Sequence, residues 1–146
     1  MNAIDRAVTP GLASKIARLA VFFRAEFPGS TVDFSPWVPG DETLSQVDPY
    51  SIDLSFRLPR GYTALQCQYV LMQVHFSGNL LGPSCTLQEI TASGYMYTAQ
   101  RWEFSTIDRQ FEGLAAPKDS AQVQFQELTD RIFELFEHPN RVRVLE

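Results

Sequence analysis

Two histidines and two cysteines supply all the imidazoles and thiols of this 146-residue chain. His75 stands between Val74 and Phe76 in an alternating apolar stretch. An imidazole there offers a general base or a ligand on the polar face of a strand. Equally, it can be a hydrogen-bonded residue at a pocket edge. His138 precedes Pro139 at the end of an apolar-striped segment, where a histidine meets the free carbonyls of a helix end. A zinc site would have to recruit Cys67, His75, Cys85 and His138, whose spacings fit no short knuckle. No metal and no cofactor are expected. Phosphate-cradling glycine loops, nucleophile elbows, metalloprotease helices, CxxC pairs and calcium loops are absent from the sequence.

The carboxylates are scattered. Asp41 and Glu42 fall in one predicted loop, Glu103 and Asp108 flank a strand, and Asp53 points away from an apolar face. A glycosidase-like pair would need convergence across strands. Solvated charges balanced by Arg57, Arg60, Arg101 and Arg109 are the simpler expectation, and no catalytic residue is assigned.

The aromatic residues are more informative. Tyr95, Tyr97 and Trp102 gather around one predicted hairpin with Arg101 among them, and Trp37 lies between Pro36 and Pro39. Tyr and Trp suit interfaces because they bury area while keeping a polar handle. Trp37, Tyr95, Tyr97, Arg101 and Trp102 are therefore the candidate binding surface. The alternative for these rings is packing under a loop or helix.

Hydrophobic periodicity outlines the elements that must carry these residues. Thr9-Pro10 starts a helix over 10–27, striped by Leu12, Ile16, Leu19 and Phe23 and ended by Pro28-Gly29. Strands are predicted at 30–37, 50–58, 64–76, 85–98 and 101–107. The second alternates strictly, with Ile52, Leu54, Phe56 and Leu58 on one side. The third changes phase near Tyr69–Leu71, which predicts a bulge or coverage of both faces. Gly94 predicts a bend or a close backbone approach, and residues 98–101 a hairpin turn. A final helix over 118–137 carries Ala121, Phe125, Leu128, Ile132 and Leu135, and Arg141–Leu145 alternates like a short strand. Helix, consecutive strands, helix is an α+β order. The expected fold is an antiparallel sheet of about five strands, with both helices packed on one face. A closed or strongly curled sheet is the alternative. Residues 1–146 are expected to form one domain, with short flexible ends at about 1–8 and 140–146.

Composition limits the function classes. The chain is 45% hydrophobic, with 12 basic and 17 acidic residues and a formal net charge of -5. Disorder, collagen and disulfide scaffolds are excluded. Residues 29–116 hold nine acidic and four basic groups, and no segment has the basic footprint of a nucleic-acid binder. Ten of the twelve cations are Arg, which pairs bidentately with carboxylates and stacks on rings. The longest apolar run is the five residues Leu19–Phe23, against the ~20 a membrane span needs. No signal peptide is recognised, so a cytoplasmic protein with two free thiols is expected.

In size, acidity and element order the chain resembles small acidic secretion chaperones. It departs from their pattern in having no predicted helix between the strands at 59–85. The resemblance implies a homodimer that binds another protein. The leading expectation is a non-catalytic protein-binding or assembly module, chaperone-like, using an exposed sheet surface. Two alternatives stand beside it. One is a carrier of a small apolar ligand, with a pocket lined by Tyr69, Met72, Phe76 and Phe104. The other is an enzyme centred on His75 and a neighbouring carboxylate.

Overall fold

The computed structural model describes residues 1–37, 48–61 and 64–137. The expectations for Asp41, Glu42, His138, the end at 140–146 and the alternating tail lie outside the described residues.

Helix α1 (Ala3–Arg6) leads into α2 (Pro10–Glu26). Thr9 caps α2 as its composition predicts: the Leu12 amide donates to the Thr9 hydroxyl at 3.1 Å, and Pro10 occupies the first turn. Six strands follow: β1 (Thr31–Asp33), β2 (Ser51–Arg57), β3 (Tyr69–Phe76), β4 (Leu87–Met96), β5 (Ala99–Ser105) and β6 (Gln110–Gly113). They pair antiparallel in sequence order, and α3 (Asp119–Glu137) closes the chain. The α+β architecture is the expected one, with β6 as an additional strand. No helix among the described residues is long and apolar enough to cross a membrane.

Alternation sorts each strand into a helix-facing set and an open-face set. Ile52, Leu54, Phe56, Val70, Met72, Val74, Ile90, Trp102 and Phe104 are buried on the helix side. There Phe23 of α2 stacks on Phe56 with ring centroids 3.8 Å apart. Phe125 of α3 meets Trp102, Phe104 and Phe111 edge-on. One aromatic cluster thus joins both helices to the sheet, and burying rings of this size supplies much of the core's stabilisation.

Two expectations are corrected. The phase change expected near Tyr69–Leu71 is not a bulge within one long strand. Gln66 adopts φ 57°, so residues 64–68 form a turn that buries Leu65 and Cys67 before β3 begins. The hairpin turn falls at Tyr97-Thr98, with Tyr97 at φ 56°, slightly ahead of its expected place. The N-terminal segment makes contacts with β2 and the residues after β1. Ala3 is fully buried, the Asp53 amide donates to the Met1 carbonyl at 2.8 Å, and the Ile4 amide donates to Phe34 at 3.0 Å.

Candidate functional site

The open face is built from residues that alternate with the core set. One cross-strand row runs through all six strands: Asp33, Ser55, Leu71, Ser93, Glu103 and Glu112. A neighbouring row contains Arg57, Tyr69 and Tyr95, and a third contains Asp53, Gln73, Thr91, Ser105 and Gln110. Leu71 is the apolar outlier in this polar array.

Two hollows open on this face. The first, about 290 Å3, is lined by Asp33, Pro36, Trp37, Tyr69, Leu71 and Tyr95. Tyr69 and Tyr95 stack with centroids 5.2 Å apart, a direct consequence of their facing positions in β3 and β4. The Tyr69 hydroxyl donates to the Tyr97 carbonyl at 3.1 Å, and the Tyr97 amide donates to the Gln68 side chain at 2.8 Å. These bonds tie the hairpin tip to the start of β3. Burial raises the Tyr95 phenol above its ordinary pKa, and the charges of Tyr69 and Glu103 add to the rise, while a Ser93 hydrogen bond opposes it. The second hollow, about 250 Å3, is lined by Ser93, Glu103, Ser105, Asp108, Gln110 and Glu112.

Trp37 owes its place to the N-terminal segment. Its amide donates to the Asn2 side chain at 2.9 Å, and the Asn2 amide group donates back to the Trp37 carbonyl at 3.0 Å. The indole N–H donates to Asp53 at 2.6 Å. Asp53 is fully buried and also accepts from the Ser51 hydroxyl at 2.7 Å and the Met1 ammonium at 2.6 Å. A buried carboxylate needs such partners.

A separate constellation lies at the other end of β3. His75 Nδ1 is 2.9 Å from the Asp48 carboxylate, and Nε2 is 2.9 Å from the Thr91 hydroxyl. Burial alone would raise the Asp48 carboxyl. Hydrogen bonds from His75 and the Tyr50 amide, with the His75 charge, hold it below the usual carboxylate range instead.

Of the five candidate surface residues, Trp37 and Tyr95 meet in the first hollow, and Tyr97 is 76% exposed in the β4–β5 turn, outside the hollow's lining. Trp102 is corrected: it is fully buried on the helix side, and its indole N–H donates to the Leu65 carbonyl at 2.6 Å. Arg101 is half-buried at an irregularity where Tyr95 pairs with Gln100 and Gly94 with Trp102. The four residues expected to line a ligand pocket do not share one face. Met72, Phe76 and Phe104 are buried in the core, whereas Tyr69 lines the open face. Cys67 and Cys85 are free, and no cluster of three metal-ligating groups exists among the described residues.

Sequence reasoning missed Asn2, Leu71, Asp48 and Thr91. A signal for Leu71 was present, as an apolar residue in the polar phase of β3. Asp48 and Thr91 carried none, because their meeting at His75 depends on strand register.

The architecture is that of a one-sided α+β sheet protein with an aromatic hollow on its uncovered face. A family profile described as a domain of unknown function matches residues 4–138, and the chain belongs to that family. No curated protein and no solved structure matches it.

Proposed function

We propose that this protein is a binding or assembly module that holds another protein against the open face of its sheet. One observation carries the reading. Both long helices cover the same sheet face, and the uncovered face presents a hollow walled by Trp37, Tyr69 and Tyr95. Amphipathic rings in an open surface hollow are the side chains protein interfaces favour. A chaperone-like role, self-association and a cytoplasmic setting belong to the same reading. Two free thiols suit a reducing compartment.

Pulldown and light scattering test it with two open-face variants, Leu71→Arg and Tyr95→Ala. A retained protein partner should be lost with both variants. It should persist with Val21→Arg, which alters an exposed position on α2. A monomer that retains no partner, or variants that keep the same partner, overturns the reading.

The Asp48–His75–Thr91 array favours a second reading, an acyl-transfer or hydrolytic enzyme. With Asp48 accepting from Nδ1–H, Nε2 accepts from the Thr91 hydroxyl. This is the arrangement by which a histidine takes a proton from an attacking oxygen and delivers it to a leaving group. Incubation with p-nitrophenyl acetate should then acetylate Thr91 as p-nitrophenolate departs. Mass spectrometry showing no adduct, or an adduct formed equally fast in His75→Gln, removes this reading.

A further inference from the structure

We infer that the occupant of the open face is an extended basic peptide segment crossing the strands, with an apolar residue in the Trp37–Tyr95 hollow and a Lys or Arg three residues away against Glu103 and Glu112. The inference rests on the open face being the binding surface.

The register supplies the track. Asp33, Ser55, Leu71, Ser93, Glu103 and Glu112 lie in one line perpendicular to the strands, and both hollows sit on it. Leu71 floors the aromatic hollow on β3, and Glu103 stands two strands away on β5. Two strand spacings come to roughly 10 Å. A polyproline II segment rises about 3.1 Å per residue with three residues per turn, so residues i and i+3 face the same side about 9.3 Å apart. A β-strand matches poorly, since its same-face residues fall at roughly 6.6 and 13 Å.

The backbone chemistry agrees. β2, β3, β4 and β5 have hydrogen-bonded neighbours on both sides, so a chain lying across their face finds few free backbone groups. Polyproline II makes no internal hydrogen bonds and is recognised through aromatic-lined surfaces.

Charge selects the second anchor. Glu103 and Glu112 are both exposed and stand directly opposite each other in the β5–β6 ladder. Like charges in that relation repel. The ion pairs found among the described residues engage Asp53, Asp48, Asp130 and Glu26, and Glu103 accepts an exposed hydrogen bond from the neutral Gln100 amide at 3.3 Å, so the charge of this carboxylate pair is matched by a cation supplied by the partner. Asp108 lines the same hollow and strengthens the field.

The test uses fluorescein-labelled peptides of sequence APLPPRPA and APLPPEPA in an anisotropy titration with the full chain. The Arg peptide should bind at least about tenfold tighter than the Glu peptide. The double variant Glu103→Gln, Glu112→Gln should reduce that preference to within about threefold, while its circular dichroism melt stays that of wild type. Tyr95→Ala should weaken both peptides alike. Equal binding of the two peptides, still weakened by Tyr95→Ala, overturns the basic-peptide assignment and leaves the open-face reading standing. If neither peptide binds and Leu71→Arg converts a wild-type dimer to a monomer, a second copy covers the face, and the assignment fails. If neither binds and the chain is a monomer with no retained partner, both the assignment and the reading fail.

Discussion

The indole of Trp102 fills the space that a side chain at position 94 would need. A Cβ on Gly94 would lie 2.4 Å from that ring, well inside van der Waals contact. Gly94→Ala is therefore expected to destabilise the fold by about 1–3 kcal/mol, measured as a lowered denaturation midpoint. Sequence pattern foresaw a bend or a close backbone approach at Gly94. The type of Trp102 suggested an interface, and only burial settled its role. Cys67 lies in the same corner. Burial pushes its thiol up to about 12, against partial opposition from hydrogen bonding with Trp102 and Tyr95. A group raised on folding contributes stability that is complete below its ordinary value of 9.0 and declines as pH rises toward 12. Wild type should lose more stability between pH 8 and pH 11 than Cys67→Ala does in urea titrations. Thiol labelling should modify half-buried Cys85 before Cys67, and equal labelling rates would refute this picture.

Elements depend on one another through a few polar contacts. Asp53 fastens β2 to the Trp37 loop, and α1 docks beside it. Asp53→Ala would leave the Trp37 indole N–H without its acceptor and take the carboxylate from the Ser51 hydroxyl and the Met1 ammonium, which keep the Asp48 carbonyl. The expected cost is about 3 kcal/mol. Hydrogen exchange should quicken first at the amides of Ile4, Trp37 and Asp53, ahead of the β3–β4 ladder. Uniform acceleration across the sheet would contradict this local role. Asp53 was legible as a residue facing away from the apolar set, yet its burial was not. The partners that enclose it come from positions 1, 2 and 37, about 16 to 52 residues away. The start of β3 was hidden for a different reason. Leu65 and Cys67 keep a period of two through a turn, so alternation alone reads as strand, and the left-handed Gln66 ends it.

At the scale of the whole molecule, the decisive property is that the two long helices cover one face of the sheet, while the other is covered only at its β2 end, where Ser51 and Asp53 are buried. Adjacent residues of β3 then answer differently to the same change. Met72→Ser, on the helix side, should cost about 2–5 kcal/mol, whereas Leu71→Ser, on the open side, should stay within about 1 kcal/mol. Paired denaturation curves measure the contrast, and similar losses would mean the open face is covered too. If the partner reading is right, Leu71→Ser should still weaken partner retention. The two variants thus separate folding from binding.

Much of this protein was determined along the chain. The stripes of α2 and α3, the Thr9 cap and the strict alternation of β2 follow from local periodicity, which needs no distant contact to be read. The antiparallel α+β class follows from their order. What the tertiary structure decided is the face and the company of each polar or aromatic side chain. Trp102 went to the core, Trp37 and Tyr95 met across 58 residues, and Asp48 and Thr91 closed on His75. Those outcomes depend on register and on which face the helices cover. A one-residue slip in pairing would have sent every side chain of a strand to the opposite face.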